Sequence, residues 1–501
     1  MMVFSKEQML FGLVLGLHAW SFITYGATYW YDAAIYAQLG VSLFEDGGIS
    51  HFYSDDRYFW YQHIGLGAPL LWALADTVGD SYGWVVVTAI QKVLAASALL
   101  FFLYAIKGFV TYTARVGIAI FLSAYPFYIV FQNAFLTEAV SASLFLIGYS
   151  AALILERGDT NKPLRYLFIM TVSGMLLVQY RAYLVGPIVL YQLWHLVRTT
   201  SHVVRIVASM SVLMIVLSAL VFPVVRWHET GNMFLPNVDV LSVGHALYVN
   251  VNPGENGKKE LEGLLYPEGL SAAMAAERGL THAESSRIAS HMHDKGISEK
   301  EIKSRMRRIA HQLRVESGDA IMSQLKLNMV SLGLISIPFY FGEDEIVRRG
   351  YTNKKYGRHL RNYYMWQSWM QDSYEGKLKI FVQKYEDRKE VYDSRSIQLF
   401  VDTHDGYVNT NSRWLKDPLF LSALIPDYLF MAWIVSALCL WNRERTFVVM
   451  SALPVAFVYV ISLYATVVGN VRYSHALLPL YVVGIAAFAC GLLNRSRYRR
   501  M

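Results

Sequence analysis

The chain has 501 residues, 54% of them hydrophobic, 14% aromatic and 17% charged, with a mean hydropathy of +0.30. A soluble globular chain carries about 25% charged residues, and the shortfall here falls in long apolar runs, so the composition excludes an ordinary soluble protein and indicates an integral membrane one. The net charge of +7, from 45 Lys+Arg against 38 Asp+Glu, gathers beside those runs, where it sets orientation in a membrane rather than pointing to nucleic acid.

Crossing the hydrocarbon takes roughly 20 apolar residues. The first run, 10–26, is followed by no small-residue cleavage site, so it reads as a retained span. Next come 84–106, 114–131, 139–155, 166–178, 184–197 and 206–225. A long polar stretch separates these from 419–440, 447–468 and 476–493. The expected fold is therefore mainly α, a polytopic membrane helix bundle of about ten spans. Runs 166–178 and 184–197 are short, and form either one long helix carrying Arg181 or two helices meeting at it. Cys439 and Cys490 both lie in apolar runs, which excludes a disulfide framework and a cysteine metal site.

Loop charges give the orientation. With the N-terminus inside, the inner loops carry Lys107, Arg115, Arg157, Lys162, Arg165, Arg198, Arg205, Arg443 and Arg445, and the C-terminal tail carries Arg495, Arg497, Arg499 and Arg500. The short outer connections hold Arg57, Arg181 and Arg472. That asymmetry is what the positive-inside rule requires, with both termini on the cytoplasmic side. The chain then divides into a transmembrane module at 1–225 with a first outer loop at 29–82, an extracytoplasmic domain at 226–417, and C-terminal helices at 418–501. Inside 226–417, Ser298 followed by Glu301 is a capping box that opens a charged helix through about Val315. Segment 325–341 is apolar but contains Gly333 and Pro338, which favours an interfacial or re-entrant segment over a span.

Ionisable groups where helices meet the outer face are the candidates for chemistry. Asp32, in Tyr31-Asp32-Ala33-Ala34-Ile35-Tyr36, suits a helix N-cap and equally a general base. Glu138 opens the fourth span, where a helix dipole favours an acid; it lies at the membrane level of Asp32, and the two carboxylates could converge on an acceptor hydroxyl. Arg181 interrupts an apolar run, and an arginine at that depth is a functional candidate by default. Arg472 opens the last span, the wrong helix end for a cation; it either snorkels to lipid phosphate or binds an anionic ligand through its planar donor fork. His63, before Gly67-Ala68-Pro69, is expected to precede a turn and is a partner for phosphate or hydroxyl. Asp55 and Asp56 resemble a metal-binding pair, although adjacent loop acids are usually solvated. His282, His291 and His293 lack zinc-ligand spacing. No cofactor is expected, with a divalent cation left as the alternative.

Four places together resemble the GT-C superfamily of polytopic glycosyltransferases, nearest the protein O-mannosyltransferase and lipid A aminoarabinose transferase branch. They are Tyr31-Asp32-Ala33-Ala34-Ile35-Tyr36-Ala37-Gln38-Leu39, His63 with Gly67-Ala68-Pro69-Leu70-Leu71, Tyr125-Pro126-Phe127 through Leu136-Thr137-Glu138, and Arg472-Tyr473 with Pro479. Arg181 matches a basic residue between the fifth and sixth helices, and the long outer loop after the seventh span matches the architecture. Relatives often carry a second acid beside the first, where Ala33 stands here. The resemblance implies an inverting transferase at the outer face of a bacterial inner membrane, taking sugar from a polyprenyl-phosphate donor to a hydroxyl of an envelope glycan, lipid or protein. It implies Asp32 and Glu138 as catalytic residues, Arg181, Arg472 and His63 as donor-phosphate ligands, and Tyr31, Tyr36 and Tyr473 as substrate contacts. Two readings from other classes stand beside it: a transporter or flippase of a lipid-linked or anionic substrate, which is expected to hold charges near the bilayer midplane, and a noncatalytic envelope scaffold.

Overall fold

The computed structural model describes residues 5–25, 36, 40, 65–79, 83–133, 135, 137–158, 162–181, 184–230, 292, 295–298, 300–302, 304–305, 307–308, 429–442, 444–465 and 475–498. The described residues are mainly helical and include no strand. In chain order the helices are α1 (Lys6–Tyr25), α2 (Gly67–Gly79), α3 (Gly83–Ala105), α4 (Tyr112–Ala124), α5 (Pro126–Asn133), α6 (Thr137–Arg157), α7 (Pro163–Arg181), α8 (Val185–Arg198) and α9 (His202–Thr230). After the polar stretch come α10 (Leu429–Leu440), α11 (Arg445–Ala465) and α12 (Leu478–Tyr498), the last entered through a 3-10 turn at His475–Leu477. Val85–Gly108, Thr137–Arg157 and His202–Val221 are long and apolar enough to cross a membrane, which marks the chain as membrane-associated.

α6 is the centre. It packs along α3 and α7, and 89% of its most apolar window is buried against 28% for α9. Its sequence explains why: Ala139, Ser141, Ala142, Ser143, Gly148, Ser150, Ala151 and Ala152 are small, and small residues let helix backbones approach closely. A Cβ on Gly148 would stand 2.7 Å from Ile188, and one on Gly174 of α7 would stand 2.5 Å from Ile215. The serine hydroxyls add no unpaired polarity. Ser143 donates to the Ala139 carbonyl at 2.8 Å and Ser150 to that of Leu146 at 2.6 Å, the back-bond expected of a helical serine. Gly158, at φ 68, ends the helix and returns its N–H to the Leu155 carbonyl at 3.1 Å, a left-handed glycine cap.

Two local expectations change and one alternative is decided. The span expected over 114–131 is two helices, because Tyr125 is extended (φ −67, ψ 121) ahead of Pro126, whose ring disfavours a helical preceding residue. The expected turn at Gly67-Ala68-Pro69 is the start of α2; Pro69 sits in its first turn, where a missing N–H costs nothing. Of the two alternatives for 166–197, the structure has the two helices, α7 ending at Arg181 and α8 starting at Val185. Ser298 caps as expected, its Oγ accepting from the Glu301 N–H at 3.4 Å, and Arg305 bonds Glu301 one turn on.

The bundle has two chemically different ends. At one, Arg115 of α4 holds Glu7 of α1 at 2.7 Å, Arg157 of α6 donates to the Ala105 carbonyl of α3 at 3.0 Å, and Arg198 of α8 pairs with Glu156 of α6. Lys107, Arg198 and Arg445 lie over Tyr104, Trp194 and Trp441 there. At the other end, the C-terminal ends of α1 and α5 meet each other, and that of α7 meets the start of α6.

Candidate functional site

At that second end Arg181, the last residue of α7, reaches the first turn of α6. Its Nη2 donates to Glu138 Oε1, and its Nε donates to Thr137 Oγ1 at 2.8 Å. The Thr137 hydroxyl in turn donates to Glu138 Oε2 at 3.2 Å. Tyr36 adds a longer contact, its hydroxyl 3.4 Å from Thr137 Oγ1. With the single Thr137 proton on Glu138, that contact is a hydrogen bond only when the Tyr36 hydroxyl donates. Glu138 is 2% exposed, so its charge is tolerable only because a cation is bound directly to it. The position also places an acid at a helix N-terminus, where the dipole favours it.

Aromatic packing holds this corner. Tyr36, Ala68, Ala75, Val87 and Phe135 form a small buried cluster of their own, flanked by Trp72 and Tyr180. The Tyr36 and Phe135 rings meet edge to face at 5.6 Å, and Trp72 lies 5.4 Å from Phe135. Two glycines bring α2 against the end of α7. A Cβ on Gly65 would stand 2.2 Å from the Gln179 carbonyl oxygen, and one on Gly67 would stand 2.6 Å from the Tyr180 ring. The segment leading into α2 is thereby pressed on the two residues before Arg181.

A second polar group lies between α1, α3 and α5. Lys92 of α3 is 5% exposed and donates to Ser21 Oγ at 2.7 Å and Gln132 Oε1 at 3.2 Å. Asn133 donates to the Ser21 carbonyl at 3.1 Å, and Ser21 to that of His18 at 3.0 Å. Both bonded partners of Lys92 are neutral. A cavity of about 20 Å³ adjoins this group, lined by His18, Tyr128, Gln132, Ala139 and Ser143, which is room for a single water. His18 Nδ1 bonds the Val14 carbonyl at 3.0 Å, so a neutral ring presents Nε2 as an acceptor.

Of the residues expected from sequence, the structure brings Glu138, Arg181 and Tyr36 into one cluster. Asp32, His63, Arg472, Tyr31 and Tyr473 lie outside the described residues, as do Asp55, Asp56, His282, His291 and His293. Glu138 is bonded to Arg181, and the expected convergence of Glu138 and Asp32 on an acceptor hydroxyl lies outside the described residues. Among the described residues no three His, Cys, Asp or Glu side chains are grouped to hold a metal. Sequence reasoning passed over Lys92 and Thr137. Lys92 was legible as a lone cation in an apolar run; nothing local distinguishes Thr137 from a helix-starting residue. Comparison with protein-family models, with curated proteins and with solved structures finds no match.

Proposed function

We propose that this chain is an inverting, polyprenyl-phosphate-dependent glycosyltransferase of about ten membrane spans, with both termini cytoplasmic and its site on the outer face of a bacterial inner membrane. Residues 226–417 form its extracytoplasmic domain. The observation carrying the reading is the buried Arg181–Thr137–Glu138 ring beside Tyr36, an oriented guanidinium and carboxylate at one end of a membrane helix bundle. Asp32 takes the proton of the acceptor hydroxyl as that oxygen attacks the anomeric carbon. The bond from that carbon to the phosphate oxygen breaks, and polyprenyl phosphate leaves with the electron pair. Arg181, Arg472 and His63 offset its charge, the contribution expected to dominate. Glu138 holds Arg181 and orients the acceptor, while Tyr31, Tyr36 and Tyr473 contact the sugar. No cofactor enters.

The test is sugar transfer by purified wild-type and Asp32→Asn protein from a panel of polyprenyl-phosphate sugars to an envelope extract, with melts in detergent as a folding control. Transfer by the wild type and its loss in the folded variant support the reading. Equal transfer by both removes Asp32 from the mechanism.

A second reading, a transporter or flippase of an anionic or lipid-linked substrate, is favoured by Lys92, an ionisable amine buried among neutral partners inside the bundle. Substrate movement across proteoliposomes without any sugar transfer would favour it.

A further inference from the structure

We propose that Thr137 is a positioning residue of this site, a group that helps to fix Arg181 for an anionic ligand; the inference rests on the glycosyltransferase reading for the ligand's class, a lipid phosphate. A guanidinium bound to a carboxylate by one N–H alone can pivot about that bond. Here the Arg181 Nε bond to Thr137 Oγ1, at 2.8 Å, supplies a further point of attachment and restrains that motion. The same hydroxyl donates to Glu138 Oε2 at 3.2 Å, so the carboxylate plane is fixed by the atom that fixes the guanidinium. Thr137 is 5% exposed, so water cannot easily take over either bond. Threonine suits the role better than a longer side chain. Its branched Cβ is stiff at χ1, and the position adjacent to Glu138 lets one oxygen reach both partners. Tyr36 closes the same oxygen from the third side at 3.4 Å. Arg181 is thus oriented before any ligand arrives, which is the condition for a charged group to stabilise a leaving phosphate without reorganising.

The experiment uses Thr137→Val, which keeps the shape and removes the hydroxyl, and Thr137→Ser, which keeps the hydroxyl. Thr137→Ala replaces the valine variant if that does not fold. Two readouts are taken: binding of polyprenyl phosphate in detergent, and the KM and kcat for transfer from a polyprenyl-phosphate sugar. The expected result is at least tenfold weaker binding in Thr137→Val, a matching rise in donor KM with acceptor KM little changed, and recovery to within about threefold in Thr137→Ser. A hydroxyl that only supports folding would lower the melting temperature and leave both readouts unmoved, which overturns the inference. Wild-type protein that binds the phosphate but transfers no sugar, with binding lost in the valine variant and restored in the serine one, overturns the transfer reading and leaves the positioning role standing. Wild-type protein that neither binds nor transfers overturns both.

Discussion

Arg181 and Glu138 close the junction between the end of α7 and the start of α6, the arginine guanidinium lying directly on the carboxylate from 43 residues away. Arg181 keeps 17% of its side chain exposed while Glu138 keeps 2%. The pair therefore buries its acid and leaves its cation at the rim, the arrangement suited to meeting an anion from outside. Removing either member strands the other, at a cost of about 3–5 kcal/mol for a buried pair. Arg181→Ala and Glu138→Ala should each lower the melting temperature in detergent, and the double variant should lose less than the sum of the two. Additive losses would show that the pair contributes no coupling.

Gly65 has no room for a side chain. A Cβ there would meet the Gln179 carbonyl at 2.2 Å, whereas one on Gly117 meets nothing within 4 Å. Gly65→Ala should push the segment before α2 off the end of α7, lowering both stability and any activity that uses Arg181. Gly117→Ala, inside α4, should be neutral or slightly stabilising, since alanine favours a helix over glycine by about 1 kcal/mol. Detergent melts of the two variants side by side check this, and equal behaviour would mean that the segment yields without cost.

Lys92 separates structure from function. Replacing it by methionine removes an ionisable amine from the bundle interior, which favours stability, and deprives Gln132 of a donor, which opposes it by about 1–3 kcal/mol. Lys92→Met should therefore melt near the wild type. If the buried amine serves the reaction or transport, activity should fall at least tenfold, about 1.4 kcal/mol in barrier. Full activity with an unchanged melt would make Lys92 a helix-tethering group only.

Glu7 precedes the apolar run of α1 and is held by Arg115 of α4. The hydrogen bond from Arg115, and its charge beyond that, keep the Glu7 carboxyl below its ordinary value of 4.5 against a smaller opposing effect of burial. The folded state thus binds the proton less readily than the unfolded one, so the contact stabilises above the ordinary glutamate range and is lost as pH falls through the lower folded value. The effect is small, because Glu7 is 63% exposed. Wild type should melt slightly above Glu7→Gln at neutral pH, with the two curves converging on acidification. A gap that persists into acid would assign the difference to something other than this ion pair.

The helices themselves were legible because apolarity is a property of consecutive residues. Runs 10–26, 84–106 and 139–155 reappear as α1, α3 and α6 with ends displaced by a few residues. Arg181 stood out for a similar reason, as a charge in an apolar run. Local chemistry also decided the break at Tyr125, since Pro126 was there to be read, and the same is true of Lys92. What sequence could not supply was partnership. Thr137 meets Tyr36 from 101 residues away and Arg181 from 44, and no local pattern names a partner at that distance.

Hydropathy does not tell which of these helices is central. Thr137–Arg157 has a mean hydropathy of 1.7 and is the most buried of the three spanning-length helices, while His202–Val221, at 2.3, is the least. Lipid is as apolar as leucine, so a membrane helix gains little by hiding its large side chains. It is drawn inward by small residues that let other backbones approach. The amino-acid order of this chain determined where helices form and where charge interrupts them. Only the tertiary structure decided that α6 is the core and that its first turn holds Arg181, because close packing and paired burial depend on residues the local sequence does not contain.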